Sequence, residues 1–403
     1  MKIEPTAVPG PVRGFRFSGV HGGLKRRGRR DLALIVADRP VVCAAVFTRN
    51  RAAAAPVLVA REHVADGRCR AVMINSGNAN AATGEKGLRM ARWSCRELAS
   101  RLGTEASEVI PCSTGVIGVQ LEKVPFARAI SLAVDGLSRK GLGAAARAMM
   151  TSDAFPKWST RTARYGGALC TITGLAKGAG MIHPSMATML SVVVTDAKLS
   201  RRAAGSMLNS ALAGSFNSIS VDGVTSTNDT LLLLASGEAP GGLIDDEDSA
   251  GFVEVAAALG EVLEELARLV VRDGEGASKM VDVVVEGADD DPSARRLADR
   301  VATSILVKTA LAGADPNWGR VLCELGNAGV EIDMAKLSIN VDDVSLVRGG
   351  TLVSDEARRM ARRVMRGDSF TIFLSVGKRS GKARVITSDL TEAYVHFNSS
   401  YTT

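Results

Sequence analysis

The chain has 403 residues, of which 46% are hydrophobic and 23% charged, with a formal net charge of +7. Those values exclude a disordered chain, a collagen and a small disulfide scaffold, and the length suggests two or three domain-sized units. Aromatics reach only 4% against 41 glycines, so the expected core is aliphatic and the expected backbone rich in turns and close approaches.

In chain order, the opening MKIEPTAVPG lacks the apolar stretch of a secretory signal. No apolar run reaches the roughly 18 residues of a membrane span, so a cytoplasmic protein without membrane contact is expected. Lys25, Arg26, Arg27, Arg29 and Arg30 form a basic cluster, read as a solvated loop; no aromatics interleave it to make a single-strand stacking surface. Short β-branched and aliphatic runs predict strands at 31–36, 41–47 and 71–74. Helices are predicted at 88–102 and 140–150, a strand at 191–195, a helix at 203–212 and a strand at 230–234. Next come a helix over 252–271, a strand at 281–285, a helix at 294–311 and a strand at 337–341. A helix at 356–366 and strands at 370–376 and 383–387 complete the series. In the 252–271 helix Leu259, Val262, Leu263, Leu266, Leu269 and Val270 recur at three- and four-residue steps, which marks a buried stripe. Leu297, Val301 and Ile305 do the same in the later helix. Polar or glycine-rich stretches at 237–249 and 287–293 are the expected junctions. The fold class is α/β (α+β), with sheets covered by helices.

Six cysteines (Cys43, Cys69, Cys95, Cys112, Cys170 and Cys323) form no C-x-x-C pair and read as reduced core residues, with Cys112 an alternative thiol nucleophile. Four scattered histidines form no ligand pair, so no metal is expected. Neither 377–382, 274–279 nor Gly174, Gly178 and Gly180 has the spacing of a phosphate or dinucleotide loop, so no bound cofactor is expected. Polar clusters of small residues recur at 75–80, 112–115, 151–153, 177–188, 226–229, 273–276 and 315–320. Each alone reads as a turn. Together they supply hydroxyls, donors and charged anchors for acyl transfer, while residue types leave the nucleophile open among many Ser and Thr.

The run Lys177-Gly178-Ala179-Gly180-Met181-Ile182-His183-Pro184-Ser185-Met186-Ala187-Thr188-Met189-Leu190 resembles the signature of the ornithine acetyltransferase family. That family is also called the glutamate N-acetyltransferase/arginine biosynthesis bifunctional family. Phe47-Thr48 and the stretches 75–80, 113–115, 221–223, 225–230, 273–276, 306–310, 315–320 and 398–403 resemble its other motifs in family order.

The resemblance implies a self-processing, N-terminal-nucleophile-type enzyme of the ornithine acetyltransferase/DmpA-like architecture. It implies a cut between Ala187 and Thr188, giving an alpha chain (1–187) and a beta chain (188–403) that assemble as a heterotetramer of two copies each. The new α-amine of Thr188, with a reference pKa of about 7.7–8.0, then serves as the general base. The resemblance further implies that Thr188 carries acetyl from N2-acetylornithine to L-glutamate and that Thr114 and Gly115 form the oxyanion hole. Thr151, Lys177, Thr188, Glu275, Asn398 and Thr403 then bind substrate. Acetyl-CoA stays open as a second donor. An amidase or aminopeptidase, a substrate-diverged paralogue, and a nucleic-acid or scaffold protein resting on the basic cluster remain the other readings. Departures from the family pattern fall at Ser185 (Asn in many members), Ala154 and Ser278 (usually Thr) and Val224 (usually acidic).

Overall fold

The computed structural model describes residues 7–25, 28–183 and 189–400. Its strands are β1 (Phe15–Val20), β2 (Leu32–Phe47), β3 (Arg68–Asn78), β4 (Val109–Val116), β5 (Lys157–Tyr165), β6 (Ala168–Lys177), β7 (Leu190–Thr195), β8 (Ile219–Ser220), β9 (Thr230–Ala235), β10 (Met280–Ala288), β11 (Ser338–Val341), β12 (Val344–Arg348), β13 (Thr351–Leu352), β14 (Ser369–Ser375) and β15 (Gly381–Ser388). Its helices are α1 (Ala55–His63), α2 (Gly84–Leu102), α3 (Lys123–Asp135), α4 (Leu142–Met149), α5 (Arg201–Ala213), α6 (Phe252–Arg272), α7 (Asp291–Thr303), α8 (Ile305–Ala312), α9 (Trp318–Gly326), α10 (Asp355–Val364) and α11 (Glu392–Ser400). The chain divides into a larger unit, up to Asn217 plus Val224–Val270, and a smaller one, Ser218–Gly223 plus the chain from Val271. The expected junctions at 237–249 and 287–293 therefore lie inside units. No helix among the described residues is long and apolar enough to cross a membrane.

The larger unit carries an eight-stranded sheet in the order β4-β3-β2-β9-β7-β6-β5, with β1 added on β2. Alternate residues of β2 face opposite ways, as the two-residue period of a strand requires. Leu32, Leu34 and Val36 pack with Met90, Cys95 and Leu98 of α2 and Phe126 and Ile130 of α3. Ala33, Ile35 and Ala37 pack on the other side with Leu142, Ala145 and Met149 of α4. Residues expected as two strands, 31–36 and 41–47, form the single strand β2, because Asp38-Arg39-Pro40 sits where the β2–β3 register shifts between Val36 and Val41. A proline costs little at such an irregularity, where no ladder N–H is needed. The stripe of α6 is buried as expected except at half-buried Leu269, and the empty side of Gly174 on β6 receives Leu266 and Val262.

In the smaller unit seven strands run in the order β13-β12-β11-β14-β10-β15-β8. Val281, Val283 and Val285 of β10 bury against Leu297 and Val301 of α7, Leu311 of α8 and Leu325 of α9. The expected helix 294–311 is two helices. Ser304 adopts an extended backbone (φ −66°, ψ 121°), and its side chain accepts from Val307 N–H, ending α7 and capping α8.

Candidate active site

In the larger unit, clusters that read as turns are strand ends. Strands β3 and β4 run parallel and set Asn75 beside Ser113, Ser76 beside Thr114 and Gly77 beside Gly115. Gly115 has φ +131°, and a Cβ there would lie 2.3 Å from the carbonyl carbon of Gly77, so no other residue fits. The Ser113 hydroxyl donates to Asn75 Oδ1 (2.6 Å), and Asn75 Nδ2 donates to the Asn78 carbonyl (2.8 Å). From across the sheet, Asn228 Nδ2 donates to the carbonyls of Ala79 (2.7 Å) and Ser113 (2.9 Å). These bonds fix the strand end that carries Thr114 and Gly115.

Lys177, buried at the end of β6, donates from Nζ to Thr114 Oγ1 at 3.3 Å. A hydroxyl that accepts from an ammonium keeps its own proton to donate onward. Thr151 joins the same group through Asp153, whose Oδ2 accepts the Thr151 N–H at 2.8 Å. Asp153 Oδ1 accepts from Lys157 Nζ (2.7 Å) and from the Gly178 N–H (2.8 Å). Burial opposes its ionisation, but Lys157, then Lys177, with hydrogen bonds from Lys157 and Gly178, hold the carboxyl well below the usual range.

Sequence reasoning held Asp153 and Asn228 only as members of polar clusters, without roles; it missed Lys157 and placed Lys25 in a solvated loop. Lys25 instead points inward and donates to the carbonyls of Met150 (2.5 Å) and Arg30 (2.9 Å). Burial, with Arg29 and Lys177 nearby, lowers its pKa to about 8 against the pull of Asp31 and Asp153. The turn that carries it is wrapped on the carboxylate of Asp31, which accepts the N–H groups of Gly22, Gly23, Leu24 and Lys25 at 2.6–3.2 Å. The signal was present in the sequence as an Asp closing a glycine-rich turn.

The smaller unit brings Glu275 and Asn398 together: Asn398 Nδ2 donates to Glu275 Oε2 at 3.1 Å. Gly276 has φ +67°, and a Cβ there would lie 2.3 Å from the Tyr394 nitrogen, so α11 rests directly on this turn. Thr391 Oγ1 donates to the Gly276 carbonyl (2.6 Å). The Tyr394 phenol is pushed up to about 12 by burial, then by the negative charges of Asp222 and Glu275. Behind the turn, Asp389 accepts the N–H groups of Ser278 (2.8 Å) and Lys279 (3.0 Å) and the Ser278 hydroxyl (2.5 Å). Serine at 278 thus keeps the hydroxyl that threonine would offer.

Ala187, Thr188 and Thr403, like Ser185, Arg26 and Arg27, lie outside the described residues. Val224 and Ala154 are exposed. Cys112 is buried and its thiol is pushed up to about 12 by that burial, which leaves it protonated and unreactive. Cys323 is exposed rather than core, because α9 turns it outward between buried Val321 and Leu325. Among the described residues no group of three or more His, Cys, Asp and Glu could hold a metal ion.

Residues 16–403 match the ArgJ family. The arginine biosynthesis bifunctional protein ArgJ of Geobacter sulfurreducens is 46% identical over 97% of this chain and 100% of its own. The protein of that name from Rhizobium meliloti is 43% identical over 97% and 95%. A crystal structure of arginine biosynthesis bifunctional protein argJ from Bacillus halodurans aligns with a TM-score of 0.51 and 33% identity, over 53% of this chain and 100% of that one. The chain belongs to the ArgJ family of arginine biosynthesis bifunctional proteins.

Proposed function

We propose that this chain cuts itself between Ala187 and Thr188 and then carries acetyl from N2-acetylornithine to L-glutamate on the Thr188 hydroxyl. As a family member it is an acyltransferase of arginine biosynthesis; the route is the proposal. The observation that carries it is the pairing of β7. That strand bonds antiparallel to β6, with Lys177 opposite Leu190, and parallel to β9. The connection 178–189 therefore joins two strands that the sheet holds without it, so a cut there leaves both fragments docked. The same register sets the start of β7, two residues after 188, opposite Lys177, whose Nζ reaches Thr114. A Bacillus chain matched in full by 53% of this one is consistent with a protein that exists as two fragments.

In the cut, Thr188 Oγ adds to the Ala187 carbonyl, the C–N bond breaks, and the hydroxyl proton goes to the freed amine. Water then hydrolyses the ester. The α-amine, with a reference pKa of about 7.7–8.0, takes the Oγ proton in each later turnover. Attack on acetylornithine builds negative charge on the acetyl oxygen, which the Thr114 hydroxyl and the Gly115 N–H stabilise. Ornithine leaves with the proton from the amine; the glutamate amine then attacks the acetyl-Thr188 ester, the acyl C–Oγ bond breaks, and the α-amine passes the proton it takes from the glutamate nitrogen to Thr188 Oγ. Lys177 suits a substrate carboxylate. Glu275, with Asn398 fixing one oxygen, suits the side-chain ammonium of ornithine. Two alpha and two beta chains make up the proposed assembly.

Intact mass and N-terminal sequencing test the reading. Wild-type protein is expected as two chains, the second starting at Thr188, and Thr188→Ala as one chain of 42.1 kDa without transfer. Two fragments from the Thr188→Ala variant would sink the proposed cut. Acetate release without glutamate would replace transfer by hydrolysis. Glutamate acetylation from acetyl-CoA would add the second donor.

A further inference from the structure

We infer that Asn228 and Asp229 act as one ruler, with Asp229 as a positioning residue that sets the nucleophile strand against the oxyanion donors. The inference rests on Thr188 being the nucleophile. In the sheet order β4-β3-β2-β9-β7, the strand carrying Thr114 and Gly115 and the strand that follows residue 188 are not neighbours. No ladder bond joins them directly. The two consecutive residues before β9 reach both. Asn228 donates to the Ser113 carbonyl, one residue before Thr114. Asp229 Oδ1 accepts the backbone N–H of Met189 at 3.2 Å, one residue after Thr188.

Both polar backbone groups of Met189 are engaged by this corner, since its carbonyl accepts the N–H of Thr230 at 3.1 Å. The corner itself is braced from β2: the Asp229 carbonyl accepts the Thr48 N–H (3.0 Å), and Thr48 Oγ1 donates to the Ser226 carbonyl (2.7 Å). The Asp229 side chain is fully buried, with the Thr48 and Ser226 hydroxyls beside it. Burial pushes this carboxyl well above the usual range against the Met189 N–H, Lys177 and those two hydroxyls, which suits a neutral tether rather than a charge. Asp229 exchanges no atom in the reaction. It fixes where the Oγ–acetyl bond forms relative to Thr114 and Gly115.

The test compares Asp229→Asn, which keeps the oxygen that holds Met189, with the truncations Asp229→Ala and Asp229→Ser, run together so that one soluble protein suffices. A misplacement of about 1 Å costs about 100-fold, so both truncations should lose about that factor in kcat and in the rate of self-cutting, with KM within about threefold. Asp229→Asn should recover all but about fivefold. Truncations that cut and turn over at the wild-type rate would overturn the inference, as would Asp229→Asn being as slow as they are, which would make the carboxyl a proton carrier. Thr188→Ala separates the two readings. If it is inert while the truncations match wild type, only the ruler fails; if it still cuts or transfers acetyl, the nucleophile assignment itself fails.

Discussion

The Thr114–Lys177 group and the Glu275–Asn398 group are built from different material. The first stands on strand ends inside a sheet, with Thr114 and Lys177 buried and Gly115 locked against Gly77 by contacts that leave no room for a Cβ. The second stands on a turn and on the last described helix, with Glu275 half-buried and Asn398 exposed. Strand ends fixed on several sides hold a donor in place before substrate arrives, which is what stabilising a developing charge requires. A half-exposed carboxylate on a turn can recognise a charged substrate end but contributes little to a buried transition state. On the proposed reading, the first group supplies rate and the second recognition.

That division can be broken by kinetics. Thr114→Ala removes one donor from the rigid group and should lower kcat by about 100–1000-fold with KM little changed. A KM effect alone would place Thr114 in recognition and dissolve the contrast. Glu275→Gln keeps the shape and the bond from Asn398 but loses the charge. It should raise KM for acetylornithine about tenfold, the scale of one charge-assisted bond, with kcat within about threefold. Unchanged kinetics would remove Glu275 from the site.

How much of this was readable beforehand differs between the same regions. Long aliphatic runs such as 230–234 and 281–285 announced their strands, and the stripe of α6 its helix. Strands β5 and β6 were missed because Lys157–Tyr165 and Ala168–Lys177 mix Thr, Arg and Gly into runs with no aliphatic stretch; Trp158 and Leu175 pack in the α4 core, and Gly174 lies against α6. Helix α11 was missed because AYVHFNSS carries no apolar period, its seat being the glycine turn at 276. Resemblance to the family supplied Thr114, Gly115, Lys177, Glu275 and Asn398. What neither residue types nor resemblance supplied was the supporting role of the groups that hold them: Asp153 with Lys157, Asn228 with Asp229, and Asp31 under Lys25. These act through contacts between residues far apart in the chain, 149 positions from Asn228 to Ala79, which no local pattern encodes.

The support behind the recognition group gives the smallest and most specific prediction. Lys308 on α8 is buried, donating to Thr387 Oγ1 (3.1 Å) and to the Ser388 carbonyl, next to the Asp389 that holds the Ser278 and Lys279 N–H groups. Burial lowers its pKa from 10.5 to about 8, with Asp389 and Asp222 pulling the other way. A lysine with a lowered folded pKa binds fewer protons folded than unfolded between those two values, so stability should rise with pH from about 8 to about 10.5. The full cost, about 3 kcal/mol by the usual conversion, is present below about pH 8. Lys308→Met deletes the titrating group while its lost hydrogen bonds cost the same at every pH. Urea unfolding of both proteins should therefore show the wild type gaining on the variant through that window. A difference that stays flat with pH would mean that the ammonium is compensated by the two carboxylates, and that the turn bearing Glu275 is backed by an ion pair rather than by a strained buried charge.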